Sequence, residues 1–104
     1  MTPFTKQVIE IIQAIPVGTV MTYGQIAELA GSRRAARQVV RILHSSSKKY
    51  KLPWHRVVNA RGEIAMQEEE SRLLQMMYLQ SEGVNVDEQG RIDLAVAQFK
   101  PELG

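Results

Sequence analysis

The stretch from Arg33 to His44 constrains the fold of this chain more than any other. Ala36, Val40 and Leu43 recur at helical spacing, with Val39 and Ile42 widening the stripe, so one side of a helix is apolar. Arg33, Arg37, Arg41 and His44 follow at intervals of four, four and three and line a separate stripe. Just upstream, Gly31 stands where a left-handed C-cap belongs, and Ser32 is placed to cap the next helix. Thr22 and Gln25 have the spacing of a capping box, opening a shorter helix packed through Ile26, Ala27, Leu29 and Ala30. Two short helices joined by a glycine turn, the second basic along one side, make a helix-turn-helix pattern. The expected fold is mainly α.

The flanking segments extend that pattern. A first helix is expected from about Phe4 to Ile15, capped by Thr2, begun by Pro3 and ended by Pro16 and Gly18. Ser45 to Leu52, with Lys48, Lys49 and Lys51, reads as a polar loop. Val57-Val58-Asn59 and Glu63-Ile64-Ala65 around Ala60-Arg61-Gly62 read as a small β-hairpin, the size of the wing in a winged helix. A fourth helix is expected over roughly Glu69 to Ser81, with Leu73, Leu74, Met77 and Tyr78 inward and Gly83 just past its end. A turn at Glu88-Gln89-Gly90 and a short helix opening at Asp93 complete the chain. A length of 104 residues implies one domain spanning 1–104.

Charge is segregated along this framework. Met1–Arg61 carry ten Lys or Arg against two Glu, whereas Gly62–Gly104 carry three against nine Asp or Glu. Such asymmetry points to one face that meets an anion and another that does not. Cysteine is absent, which excludes disulfides, thiolate metal sites and cysteine nucleophiles, and fits a reducing, cytoplasmic setting. His44 and His55 are too few for a structural zinc site, so neither metal nor cofactor is expected. No apolar run approaches the roughly 20 residues of a membrane span, and the N-terminus lacks a signal-peptide pattern. DNA is the anion that suits the basic helix. Arg33, Arg41, Lys48, Lys49 and Lys51 are candidates for backbone phosphates.

The Tyr23-to-Ala27 run, Arg34-Ala35-Ala36-Arg37 and Pro53-Trp54-His55-Arg56-Val57-Val58 together resemble the DNA-binding domain of the O(6)-alkylguanine-DNA alkyltransferases. Those enzymes use Pro-Cys-His-Arg-Val around a reactive cysteine, and here Trp54 stands at the cysteine position. This exchange marks the alkyltransferase-like proteins, which bind alkylated guanine in DNA and transfer nothing. The resemblance runs from about Met1 to Val86, without a counterpart to the separate N-terminal domain of many transferases. It implies minor-groove binding to double-stranded DNA, a flipped O(6)-alkylguanine, and a handover to nucleotide excision repair. Carried over by position, Tyr23 matches the tyrosine beside the flipped nucleotide, and Arg37 the arginine finger that replaces the extruded base. His55 and Glu82 match a histidine and glutamate that activate the cysteine. With no thiol to activate, they are expected to shape the pocket with Trp54 and Arg56, the last as a brace or a phosphate contact. Ser46 occupies the place of a family asparagine, which leaves the hydrogen bonds there open. The expected form is a monomer. Two other functions fit parts of the pattern: a winged-helix transcriptional regulator reading the major groove, and a base-modifying repair enzyme using His55 and Glu82.

Overall fold

The computed structural model describes residues 1–101. Helix α1 spans Pro3–Gln13, with the Thr2 side chain accepting from the Thr5 amide and Pro3 in the first turn. Strand β1 (Met21–Thr22) leads directly into α2 (Tyr23–Leu29). Thr22 and Gln25 complete the expected capping box: the Thr22 hydroxyl accepts from the Gln25 amide at 3.0 Å, and Gln25 Oε1 accepts from the Thr22 amide at 3.2 Å. Helix α3 (Ala36–Tyr50), a 3₁₀ turn (Trp54–Arg56), β2 (Val57–Val58), α4 (Glu69–Ser81) and α5 (Leu94–Ala97) follow. The mainly α, helix-turn-helix architecture is as expected, and α4 has the expected bounds.

Three expectations need correction. The recognition helix begins at Ala36 instead of Arg33, because Ser32 closes the previous helix instead of capping the next. Its amide donates to the Ala27 carbonyl at 2.9 Å while Gly31 takes φ +103°, and Ala35 caps α3 without a side-chain bond. Arg33 therefore falls outside the basic helical stripe. The same helix continues through Ser45–Lys49, which were expected to be loop. Nothing there breaks a helix, and the end comes where Lys51 adopts a left-handed φ of 51° shortly before Pro53. Ser46 thus lies within α3.

The hairpin is also absent as drawn. β2 pairs in parallel with β1, Met21 against Val57 and Thr22 against Val58. Residues 59–63 still turn, with Asn59 Oδ1 accepting from the Arg61 and Glu63 amides, but Glu63 bridges onward to Arg91. Val57 and Val58 are both buried, which suits a strand covered on both faces and not a half-solvated wing. Alternation along the strands then divides the interior. Met21 and Val57 enter a cluster with α1, α2 and α3, including Val8, Ile12, Ile26 and Val39. Val20 and Val58 enter a second with Ile64, Leu79, Val84 and Ile92.

The third correction concerns α4. Leu73, Leu74, Met77 and Tyr78 are exposed, and the buried residues are Gln75 and Leu79. The helix is rotated from the orientation its leucines suggest, because it serves a polar loop as well as an apolar core. Among the described residues, no helix is long and apolar enough to cross a membrane.

Candidate functional site

The turn Trp54–Arg56 is the centre of the site. Leu52 anchors it in the core, Pro53 starts it, and the Arg56 amide closes it on the Pro53 carbonyl at 3.0 Å. Helix α4 supports it through residues at spacings of four, three and four: Ser71, Gln75, Tyr78 and the C-cap residue Glu82. Gln75, only 1% exposed, donates from Nε2 to both the His55 and Val57 carbonyls at 3.0 Å. One side-chain amide thereby ties the turn to the helix on either side of Arg56. Its Oε1 has no protein partner among the described residues. Gln75→Leu strips two buried carbonyls of their donor and is expected to cost about 2–4 kcal/mol, read by urea unfolding. A loss below about 0.5 kcal/mol would show that these carbonyls find other partners.

Glu82 is the electrostatic anchor. Its Oε1 and Oε2 accept from Arg56 Nε at 2.9 Å and Nη2 at 2.8 Å, a two-pronged pairing, and Oε2 lies 2.7 Å from His55 Nε2. The Gly18 amide adds a fourth contact at 3.3 Å, reached because Gly18 adopts φ +83°, where a side chain would be strained. The Arg56 hydrogen bonds, followed by those of His55 and Gly18, outweigh burial and hold the carboxyl at about 2. Arg56 Nη1 donates to the Ile15 carbonyl at 2.8 Å, so this guanidinium is a brace, with its fork already engaged. Three of its five N–H donors are used within the protein, which favours the brace over the phosphate role for Arg56.

Beside the turn lies a cavity of about 220 Å³. Val40, Leu43, His44 and Ser47 supply one side from a single face of α3; Tyr23, Trp54, Met66 and Ser71 supply the rest. Burial raises the Tyr23 hydroxyl above its ordinary pKa, which keeps it a neutral donor. Of the residues expected at a pocket, Trp54 and Tyr23 line this cavity, whereas His55, Arg56 and Glu82 form the adjoining cluster. Tyr78 joins them through its ring, 6.1 Å from that of Trp54 and 5.2 Å from that of His55. Gln75, Tyr78, Ser71 and Met66 were not foreseen here. Counting back from Glu82 by helical steps finds the first three. A larger groove of about 510 Å³ between α1, Leu29 and Phe99 has Glu10 as its charged lining group, which makes it unsuited to an anion.

The basic residues lie along α3 and just past its end. Arg37, Arg41, Lys48, Lys49 and Lys51 are exposed, and the sequence has no acidic residue between Glu28 and Glu63. Arg37 and Arg41 lie one turn before the cavity residues Val40 and His44, and Lys48 continues that face four residues beyond His44. Arg33, on the preceding turn, is exposed and 3.9 Å from the Glu28 carboxylate.

A sequence profile of the 6-O-methylguanine DNA methyltransferase DNA binding domain matches residues 3–84. The chain belongs to this family, as an alkyltransferase-like member. It is 47% identical over 91 residues to the DNA base-flipping protein of Escherichia coli (strain K12), covering 88% of this chain and 70% of the relative. Identity to Alkyltransferase-like protein 1 of Schizosaccharomyces pombe is 36% over 87 residues, 83% of this chain and 81% of that protein. The fold superposes, with a TM-score of 0.86 and 32% identity, on a crystal structure of S. pombe Atl1 in complex with damaged DNA containing O6-carboxymethylguanine. That match covers 97% of this chain and 98% of the other. The Trp54 turn and α3 of this alkyltransferase-like chain lie within the matched region.

Proposed function

We propose that this protein binds double-stranded DNA through α3 in the minor groove and holds a flipped O(6)-alkylguanine in the cavity beside Trp54, without transferring the alkyl group. The observation that carries this reading is the exchange at Trp54. By the family resemblance a large aromatic wall takes the position of the transferases' thiol, and it stands beside the His55–Glu82–Arg56 cluster. The chain has no cysteine, and indole is not a usable nucleophile. Arg37 enters the base stack and fills the space left by the extruded base; Tyr23 supports the flipped nucleotide. Arg41, Lys48, Lys49 and Lys51 hold phosphates, with Arg33 at the margin. The relatives' names, and the damaged DNA bound by the S. pombe protein, support lesion binding. The protein acts as a monomer in the cytoplasm, on the nucleoid. The persistent complex marks the lesion for nucleotide excision repair.

A base-modifying enzyme using His55 and Glu82 fits the geometry poorly. His55 Nε2 is held by Glu82, and neither residue lines the cavity. The test is binding of matched duplexes containing guanine or O(6)-methylguanine across a salt series, with intact mass of the recovered protein and DNA. Strong preference for the alkylated duplex, a log–log salt slope of about −3 to −5 and unchanged masses are expected. Equal affinity for both duplexes would favour a transcriptional regulator, and an altered or released guanine would make the protein an enzyme.

A further inference from the structure

Tyr78 is out of place as a core residue. It is 41% exposed, yet its ring packs edge-on against two others, at 70° to Trp54 and 63° to His55. Trp54 and His55 also meet, with centroids 6.3 Å apart at 88°, so the three rings close a triangle. Two of its corners have other duties. His55 is tied to Glu82, and Trp54 lines the cavity. The Tyr78 hydroxyl and the Trp54 indole N–H have no hydrogen-bond partner among the described residues, so ring packing alone relates them. Tyr78 itself does not line the cavity. What it can control is where the indole stands.

We propose that Tyr78 is a positioning residue that pins the Trp54 indole as a fixed wall of the cavity and thereby contributes more to holding small O(6)-alkyl groups than bulky ones. The selectivity rests on the lesion-binding reading above; the pinning does not. Dispersion attraction fades within a fraction of an ångström to an ångström of separation, so a methyl group gains from an aromatic wall only if that wall stays in place. A bulky substituent reaches the indole by itself and restrains it on binding. Met66, unbranched and polarizable, gives the opposite side of this balance, since its side chain can yield to a larger group. A pinned Trp54 with an adaptable Met66 discriminates at the small end of the range and tolerates the large end.

Trp54 is the sole tryptophan, so its fluorescence reports on the wall without DNA. Acrylamide quenching and anisotropy decay are to be measured for the wild type, Tyr78→Phe, Tyr78→Leu and Tyr78→Ala, with thermal melts as a check on folding. Tyr78→Phe keeps the ring and is expected to match the wild type. Tyr78→Ala is expected to raise the quenching constant at least about twofold and add a nanosecond depolarisation; Tyr78→Leu serves in its place should the alanine variant not fold. On DNA, loss of the ring is expected to weaken binding of the O(6)-methylguanine duplex by about threefold to tenfold, and of an O(6)-benzylguanine duplex by less than about twofold. Unchanged quenching without the ring overturns the pin. Raised quenching with equal losses on both adducts overturns the selectivity. A wild type that binds plain and alkylated duplexes equally overturns lesion binding, and the selectivity with it, while the fluorescence still decides the pin.

Discussion

Glu82→Ala is expected to destabilise the protein by about 3–5 kcal/mol at neutral pH, because it leaves the Arg56 guanidinium and the Gly18 amide without their carboxylate. That is a large part of the roughly 5–15 kcal/mol that holds a domain folded. The side chains of Arg56 and Glu82 are each 14% exposed, so water can replace the lost contacts only in part. The pH dependence has a definite sign. Glu82 titrates at about 2 when folded, against 4.5 ordinarily, so the unfolded chain takes up its proton first. Its contribution is fully present above about pH 4.5 and is lost as the pH falls towards 2, amounting to no more than about 3 kcal/mol. Glu82→Gln removes this component of acid sensitivity. Urea unfolding of both proteins between pH 5 and pH 2 measures it, and parallel acid limbs would show that the pair does not hold the site together.

Arg37→Ala is expected to reduce the preference for alkylated over plain duplex by about tenfold or more, since it removes the group proposed to compensate for the unstacked base. Lys49→Ala provides the contrast. Lys49 is exposed near the end of α3, its ammonium 5.3 Å from the centroid of the Tyr50 ring, and its proposed role is a phosphate contact. Its loss is expected to weaken both duplexes alike and to lower the salt slope by at most about one. Paired titrations of the two variants on both duplexes make the comparison. Equal discrimination in the two would remove Arg37 from the finger role and return it to the phosphate-binding set.

The length of α3 changes what its basic residues can do together. As a loop, Ser45–Leu52 would have presented its lysines independently. As helix to Tyr50, it places Lys48 on the face that carries Arg37, Arg41 and His44, and puts Ser47 into the cavity wall. The stripe of cations then adjoins the cavity face and shares His44 with it. The helix proposed to enter the groove thus also supplies one wall of the cavity proposed for the extruded base, and no hinge separates Arg37 from Val40 and His44.

Local signals in the chain were sufficient for the helix-turn-helix, its capping box, the bounds of α4 and the short helix at Asp93. Each depends on contacts between residues three or four apart, which spacing alone reveals. The family resemblance likewise marked Trp54, His55, Arg56 and Glu82 because those residues sit in ordered runs. What needed the folded chain was long-range. Val57 and Val58 have the composition of a strand, but whether they turn back on Glu63 or lie beside Met21 depends on what else covers their faces. The rotation of α4 is similar: its leucines suggest one inward side, while Gln75 is buried because two carbonyls of the pocket turn require its amide. A buried hydrogen-bond partner can outweigh a leucine's apolar area, since an unpaired carbonyl costs about as much as burying that side chain gains. The spacing of Tyr78 with Leu74 and Met77 likewise suggests the core, and only the packing of three rings from two segments places it beside Trp54.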